Sequence, residues 1–230
     1  MAFAFSALAQ QTDTIQSIPS NPRKPRVERD WKPSFVLVGA DVGRMVINPL
    51  SEVQNYEGFV SLDFDRYLFN AEFGHSTFHR DDEFLYEGSG TYYRIGLAKN
   101  FAVASKDRSI FTMGLNYARS NFDQTLIFED SFFGEQSEFT FQDNNAAARW
   151  WELTGGIHVN LWENLNMGYV VRLKFLKKTF GDENVEPWDV PGYGRNKKNG
   201  TELKNATVGL NYYLSWRFDL REKALSVPRS

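Results

Sequence analysis

The fold is decided by residues 207–220, which read Thr207-Val208-Gly209-Leu210-Asn211-Tyr212-Tyr213-Leu214-Ser215-Trp216-Arg217-Phe218-Asp219-Leu220. Every even-numbered position except Tyr212 is purely apolar, and the odd-numbered positions are mostly small or polar. Alternation with a period of two is the pattern of a β-strand that has one apolar and one polar face. The run is longer than the usual strand of a globular domain, so a long strand is predicted here.

The same alternation recurs from residue 34 onward and predicts seven further strands. Their apolar faces are carried by Val36, Val38, Ala40 and Val42; Val60, Leu62 and Phe64; Tyr67, Phe69, Ala71 and Phe73; Tyr93, Ile95 and Leu97; Phe111, Met113, Leu115 and Tyr117; Trp151, Leu153, Ile157, Val159 and Leu161; and Leu165, Met167, Tyr169, Val171, Leu173 and Phe175. An all-β fold with an even number of strands follows.

The predicted connections alternate in length. Short ones are expected at residues 65–66, 102–108 and 163–164, and longer ones at 48–55, 79–88, 121–147 and 178–205. Short turns at one end and long loops at the other are typical of bacterial outer-membrane barrels, with the long loops outside the cell. We therefore predict an eight-stranded antiparallel transmembrane outer-membrane barrel over residues 34–222, with both termini in the periplasm.

Small and charged residues share the second face of these strands. The interior of an eight-stranded barrel has room only for side chains, so glycines and charges of both signs suit it as an ion-paired plug rather than a conduction path. The predicted polar network of the lumen is Asp41, Asp63, Glu72, Arg94, Glu152, His158, Arg172, Lys174, Arg217 and Asp219. A soluble lipocalin-like barrel is the alternative, and it would place the apolar face inside.

Aromatic residues make up 16% of the chain, which favours strands and the aromatic girdles of membrane barrels. Bulky residues near strand ends are predicted to form the girdle, namely Trp151, Trp162, Trp216 and Phe218. Cysteine is absent, so disulfides and thiolate metal sites are excluded. The net charge of -3 gives no basic field for nucleic acid. Because no apolar run approaches about 18 residues, any membrane span must consist of strands.

The first nine residues end in Ala7-Leu8-Ala9, a small-x-small pattern that a signal peptidase accepts. Residues 1–9 are therefore predicted to be a residual signal peptide without its basic start. Residues 10–33 are polar, contain prolines and the basic run at 23–26, and are expected to form a flexible periplasmic tail. Residues 223–230 are expected to form a second periplasmic tail.

Catalytic candidates are few. His75 and Ser76 lie near the end of the third strand and loosely resemble the histidine and serine pair of lipid A deacylase barrels. Adjacent residues of a strand point to opposite faces, so they cannot act as a pair without a bulge. His75 and His79 border an acidic stretch that is more often solvated than metal-binding. We predict no catalytic residue, metal or cofactor.

The longer connections are the more promising functional surfaces, because rigid barrels present binding sites there. The candidate partner surface comprises Phe128, Phe132, Phe133, Phe139 and Phe141 in one connection, and Trp188 and Tyr193 in the next. So many aromatic residues indicate either that the strands continue beyond the membrane or that the connection docks on a protein. The basic residues Arg195, Lys197 and Lys198 are suited to lipopolysaccharide phosphates, although a solvated loop is equally consistent with them.

Several motifs resemble an uncharacterised family of small outer-membrane barrels of Bacteroidota. They are Trp31-Lys32-Pro33-Ser34-Phe35-Val36, Asn116-Tyr117-Ala118-Arg119-Ser120-Asn121-Phe122, Ala148-Arg149-Trp150-Trp151-Glu152, Gly168-Tyr169-Val170-Val171-Arg172-Leu173-Lys174-Phe175-Leu176-Lys177-Lys178, Pro191-Gly192-Tyr193-Gly194 and Asn211-Tyr212-Tyr213. The resemblance spans about residues 31–221. It implies location in the outer membrane and the barrel fold, and it implies no activity.

The expected function is that of a non-enzymatic accessory or structural subunit of an outer-membrane protein complex. Its expected partners are outer-membrane lipid, lipopolysaccharide and a protein of the same assembly, with no nucleic acid. The alternatives are a stand-alone adhesin-like or lipopolysaccharide-interacting barrel and, third, a lipid-modifying enzyme.

Overall fold

Alternating strand segments produce one closed antiparallel barrel in the computed structural model. Its eight long strands are β1 (Phe35–Asp41), β2 (Val53–Phe64), β3 (Tyr67–Asp81), β4 (Leu85–Asn100), β5 (Ile110–Phe132), β6 (Glu135–Trp162), β7 (Leu165–Phe180) and β12 (Ala206–Asp219). They follow the order β1-β12-β7-β6-β5-β4-β3-β2, so each long strand pairs with the next long strand along the chain and the first pairs with the last. The predicted all-β fold with eight antiparallel strands is confirmed.

Short elements lie outside this sheet. They are α1 (Val42–Ile47), a 3-10 turn (Asn48–Leu50), the pair β8 (Asp189–Val190) and β9 (Gly194–Arg195), and the pair β10 (Lys197–Lys198) and β11 (Glu202–Leu203). No helix in the described part of the chain has the length and apolar character to cross a membrane.

The structure describes residues 31–81, 84–102, 108–132, 135–182, 187–195, 197–198, 202–203 and 205–221. The predicted signal peptide, the tail up to residue 30 and the C-terminal tail lie outside the described residues. So do Phe133 and the side chains of Phe128, Phe132, Arg195, Lys197 and Lys198.

The first strand is shorter than predicted. It ends at Asp41, whose Oδ1 accepts a hydrogen bond of 3.0 Å from the backbone N–H of Arg44. This carboxylate therefore caps the first turn of α1, an arrangement that stabilises a helix start. Val42 and Gly43, predicted as strand residues, are helical.

The tight turns at 65–66 and 163–164 are confirmed, with Asp65 at φ 59° and Glu163 at φ 41°. Two predicted loops are largely strand instead. Arg80 pairs with Tyr86, so only residues 82–84 join β3 to β4. Residues 121–147 are also strand, since β5 and β6 remain paired as far as Phe132 and Glu135. Of the two alternatives for this segment, continuation of the strands is the one observed.

The two faces of the sheet have the predicted orientation. The charged residues Glu72, Arg94, Glu152 and Arg172 are buried inside the barrel. The apolar face points outward and is exposed, with members on all eight strands. They include Val38, Val60, Phe69, Phe73, Tyr93, Ile95, Leu97, Phe111, Met113, Leu115, Trp151, Leu153, Ile157, Val159, Leu161, Tyr169, Val171, Leu173, Phe175, Val208, Leu210, Leu214, Trp216 and Phe218. This arrangement is the reverse of a lipocalin-like barrel.

The interior also holds large aromatic side chains beside the glycines and charges. Trp150 and Tyr92 are buried in a cluster at one end, and Phe59 and Tyr213 in a cluster at the other. Glycines on neighbouring strands make the space for such rings. A Cβ atom at Gly74 would lie 2.2 Å from Cζ of Tyr92, a separation that no carbon pair tolerates.

Candidate functional site

A network of buried charges occupies the middle of the barrel, and Arg94 on β4 is one of its two centres. Its Nε donates to Oε1 of Glu152 over 2.9 Å. Its Nη1 donates to Glu57 over 2.6 Å and to Glu72 over 3.0 Å, and Nη2 donates to the carbonyl of Gly192 over 2.9 Å. One guanidinium thus joins β2, β3, β6 and the connection between β7 and β12.

Arg172 on β7 is the second centre. Its Nη1 lies 3.0 Å from Oε2 of Glu152, and its Nη2 lies 3.0 Å from the Glu72 carboxylate. The Nε of Arg172 donates to Oδ1 of Asn211 over 2.7 Å, and Nη2 also donates to the hydroxyl oxygen of Tyr213 over 2.7 Å. Both arginines and Glu152 are almost completely buried. Buried charges are tolerated when they are paired and hydrogen-bonded in this way.

Glu57 completes the network and was missed by the sequence analysis. It accepts hydrogen bonds from the hydroxyls of Tyr92, over 2.6 Å, and Tyr213. The prediction began β2 at Val60, whereas the strand begins at Val53. Tyr56 and Val60 are even-numbered and Glu57 is odd-numbered, so the period of two continues upstream of Val60 and could have indicated the longer strand.

The formal charges of this network balance. Glu57, Glu72 and Glu152 face Arg94, Arg172 and the ammonium group of Lys174, all of them buried. Because these groups come from β2, β3, β4, β6 and β7, they tie together strands that are not neighbours in the sheet. Such a network rigidifies a structure when every member is satisfied.

The connection between β7 and β12 folds into the barrel and adds to the network. The carbonyl of Gly192 accepts from Nζ of Lys174 over 2.7 Å as well as from Arg94, and the carbonyl of Tyr193 accepts from the same ammonium over 3.2 Å. Gly192 has φ +79°, and a Cβ there would lie 2.5 Å from Tyr92. Only glycine fits this position.

Tyr193 was predicted to belong to an exposed partner surface, but it is 1% exposed. It packs on the indole of Trp150 with 5.7 Å between ring centroids. Burial raises the pKa of its phenol to about 12. Trp188 is partly buried and lies against the ring of Phe84 and under the guanidinium of Arg80. These two aromatic residues belong to the inserted connection, which we call the plug segment (residues 187–194).

The other predicted network residues separate into two groups. Asp41, Asp63 and His158 are buried inside, and Oδ2 of Asp41 accepts from Asn211 over 2.6 Å. Arg217 and Asp219 lie at the end of β12 instead, where they pair with each other over 2.7 Å and Asp219 also contacts Arg108. Arg217 and Asp219 thus lie at one end of the barrel and outside the central network, contrary to the prediction.

Inside the described part of the barrel, a cavity of about 40 Å³ lies between the charge network and the cluster of Phe59 and Tyr213, beside Asn116, His158 and Arg172. This volume matches roughly two or three water molecules. It is far smaller than a ligand site for a metabolite.

His75 and Ser76 point to opposite faces of β3, as the sequence analysis reasoned. His75 is exposed on the outer wall, whereas Ser76 is 2% exposed and faces inward. The strand pairs with β2 through both positions without a bulge. His79 lies 3.2 Å from Glu87 in an exposed pair. Among the described residues, no group of three or more metal-ligating side chains comes together.

The predicted girdle residues lie near the two ends of the outer wall. Trp162 and Trp216 both pair with Leu165 beside the turn at 163–164. Trp151 lies at the opposite end, between Tyr117 and Phe175 on the neighbouring strands. Phe218 is also exposed on the wall, near the end of β12.

The chain was compared with known protein families and with curated proteins. A family model described as Domain of unknown function (DUF6048) matches residues 2–223. No curated protein matches the chain.

Proposed function

The chain belongs to the family described as Domain of unknown function (DUF6048), and we propose that it is an integral outer-membrane β-barrel. In this proposal it is the non-enzymatic accessory or structural subunit of a membrane assembly in a Gram-negative bacterium of the Bacteroidota. Both termini lie in the periplasm, and the ends of β5 and β6 extend outside the cell.

The single observation that carries the membrane proposal is the inverted polarity of the sheet. Charged side chains are paired inside, whereas apolar side chains cover the outer wall of every strand. A soluble protein rarely exposes a continuous apolar surface of this extent. The same surface is what lipid requires, because backbone groups of a closed sheet are all paired and only apolar side chains meet the hydrocarbon.

The length of the apolar runs supports the same proposal. On β6, β7 and β12 the outward apolar positions extend over residues 151–161, 165–175 and 208–218, which are 11 residues each. A membrane-spanning β-strand needs about 9–11 residues at a tilt of about 45°. The runs therefore correspond to a band about 25 Å tall, as in outer-membrane barrels.

The occupied interior supports a structural role. Among the described residues, paired charges and the plug segment fill the middle of the lumen, and no conduction path or ligand chamber is seen there. Function is then expected on the outer surfaces. The pairing between β4 and β5 ends at Leu85 and Ile127. Beyond Ile127, β5 and β6 continue as a two-stranded ribbon.

The ribbon carries the candidate contact surface for a partner. On β6, Phe139 pairs with Phe128 inside the ribbon and Phe141 pairs with Leu126 at its base. The two side chains are on one face of β6 and are 45% and 36% exposed. Exposed aromatic residues on a rigid projecting element are typical of protein interfaces. Because they stand outside the apolar band, lipid does not account for them.

Site-specific photo-crosslinking in native outer membranes tests this role. A benzophenone amino acid replaces Phe141 in one variant and Phe175, on the apolar wall, in the control. The proposal predicts one defined protein adduct from position 141 and chiefly lipid adducts from position 175. Absence of a protein adduct at 141, together with a monodisperse monomer after mild extraction, would contradict the subunit role and favour a stand-alone barrel.

A further inference from the structure

Three basic residues form a row across the outer wall. Arg119 on β5 lies directly opposite Arg149 on β6, and Arg149 lies directly opposite Lys178 on β7. All three are exposed. Directly opposite residues have Cβ atoms about 4.5–5.5 Å apart, so the Cβ atoms of the three residues lie within roughly 10 Å. We call these residues the basic row.

A local irregularity of β7 produces the third member. The register shifts between Arg149 and Trp150, so that Trp150 pairs with Leu176 while Arg149 pairs with Lys178. The extra residue, Lys177, is exposed as well. Bulges of this kind redirect side chains and are typical of functional positions.

The basic row is electrostatically unfavourable by itself. Like charges directly opposite each other destabilise a sheet. Within the described residues, no carboxylate pairs with Arg119, Arg149 or Lys178. Arg149 and Lys178 instead lie over the ring of Phe180, at 4.4 Å and 4.7 Å from its centroid. The ring holds both cations in place but does not neutralise them.

The row also lies at a defined level of the wall. Tyr117 and Trp151 lie two residues below it on β5 and β6, and Phe175 lies three residues before Lys178 because of the irregularity in β7. Tyr117, Trp151 and Phe175 pair side by side and end the apolar band. A step of two residues is about 6.7 Å along a strand. Two residues above Arg119 is the polar Asn121. The basic row therefore follows directly on the aromatic row, at the level where a membrane changes from hydrocarbon to headgroup.

We propose that Arg119, Arg149 and Lys178 bind the phosphate of a phosphorylated glycolipid of the outer leaflet, with its acyl chains along Tyr117, Trp151 and Phe175. This inference rests on the proposed membrane location. A phosphate offers three acceptor oxygens, which match two guanidinium forks and one ammonium group. The basic row adjoins an aromatic and aliphatic wall. A lipid contacts both the row and the wall, whereas a soluble anion contacts only the row, so the arrangement favours a lipid.

Two double variants with equal loss of charge test the proposal. Arg119→Gln with Arg149→Gln removes the arginines of the row, and Arg66→Gln with Lys99→Gln removes two exposed cations at the other end of the barrel. Each protein is inserted into phosphatidylcholine vesicles with and without monophosphoryl lipid A. Lipid binding is measured by native mass spectrometry and stability by the heat-induced shift on gels.

The wild-type protein and the control are expected to bind monophosphoryl lipid A alike, and the row variant about tenfold or more weakly. In pure phosphatidylcholine the row variant should be at least as heat-resistant as the wild type, because a repulsion has been removed. With monophosphoryl lipid A the order should reverse.

Equal lipid binding by the two double variants would overturn the proposal. A second contrary result would be that millimolar inorganic phosphate abolishes lipid binding and that binding does not depend on the acyl chains. The site would then bind a soluble anion. Failure of the wild-type protein to insert into any vesicle would contradict the proposed function itself and remove the premise. Insertion with unchanged lipid binding would contradict this inference alone.

Discussion

Arg94 on β4 and Glu152 on β6 are joined by a hydrogen bond of 2.9 Å, although β5 separates their strands in the sheet. The bond spans β5 inside the barrel and therefore fixes the shape of the closed barrel rather than the pairing of two neighbours. Arg172 reaches the other oxygen of the same carboxylate from the neighbouring strand β7. Arg172 also donates to Glu72 on β3, four strands away in the sheet, and this bond holds opposite walls together.

Removal of one arginine should destabilise the barrel strongly. In Arg94→Met, three buried carboxylates remain with Arg172 and Lys174, so one buried charge is uncompensated. We expect a loss of about 3–5 kcal/mol in the free energy of unfolding. Urea unfolding in vesicles, followed by tryptophan fluorescence, measures it, and Arg66→Met at an exposed turn is the control.

A second substitution tests whether the network acts as a unit. Arg94→Met combined with Glu72→Gln restores the balance of formal charge. The double variant should be clearly more stable than the sum of the two single losses predicts. Strict additivity would mean that Arg94 and Glu72 do not interact inside the barrel.

Space for rings inside the barrel is predicted to depend on particular glycines. In Gly74→Ala the new methyl group would lie 2.2 Å from the Tyr92 ring, which is held by hydrogen bonds to Asn55 and Glu57. We expect a destabilisation of about 1–3 kcal/mol from overpacking. Gly155→Ala is the matched control, since nothing lies within 4 Å of a Cβ there. Equal effects at both positions would contradict the close packing described for Tyr92.

The plug segment should be released without loss of the barrel when its buried ring is removed. In Tyr193→Ala the packing on Trp150 is lost, so trypsin should cleave near Arg195 in intact vesicles much faster than in the wild type. Tyr193→Phe keeps the ring and should remain resistant. Mass spectrometry of the fragments measures the rate. Equal rates of cleavage at this site in Tyr193→Ala and in the wild-type protein would mean that the Tyr193 ring does not hold the plug segment in place.

Release of the plug segment is not expected to create a channel. Arg94, Arg172 and their carboxylates still cross the lumen in Tyr193→Ala. Planar-bilayer recordings of this variant and of the wild type should therefore be silent. Currents that change with substitutions in the charge network would contradict the structural role of the network.

Much of the wall was predictable from the sequence because one face of each strand is uniformly apolar. The inward positions Glu72, Arg94, Glu152 and Arg172 followed directly from that alternation. The upper parts of β5 and β6 were not recognised as strands, since beyond Tyr117 and Trp151 both faces carry polar residues and no period of two remains. Hydrophobic alternation reports a strand only where its two faces meet different environments.

The plug segment was not predictable for a different reason. The sequence Pro191-Gly192-Tyr193-Gly194 indicates a turn, but a turn signal does not specify which way the segment folds. Its position depends on bonds from Lys174 and Arg94, which are distant in sequence. Glu57 was missed because β2 was predicted to begin too late.

A charged substitution on the outer wall should distinguish lipid from water as its environment. Val171 is 47% exposed, so Val171→Arg would be nearly neutral in a soluble protein. At the middle of a bilayer the same change is expected to cost about 2–4 kcal/mol of folding stability. Thr91→Arg, exposed on β4 beyond the apolar band, is the control. Refolding into vesicles over a urea series gives the comparison.

The most direct test of the central claim, that the apolar wall faces lipid, uses the absence of cysteine from the chain. Val171→Cys and Thr91→Cys each introduce one outward-facing thiol, and a membrane-impermeant maleimide is applied to the protein in lipid vesicles. The account predicts rapid labelling at position 91 and almost none at position 171 until the protein is unfolded. Equally rapid labelling of both folded variants would contradict it.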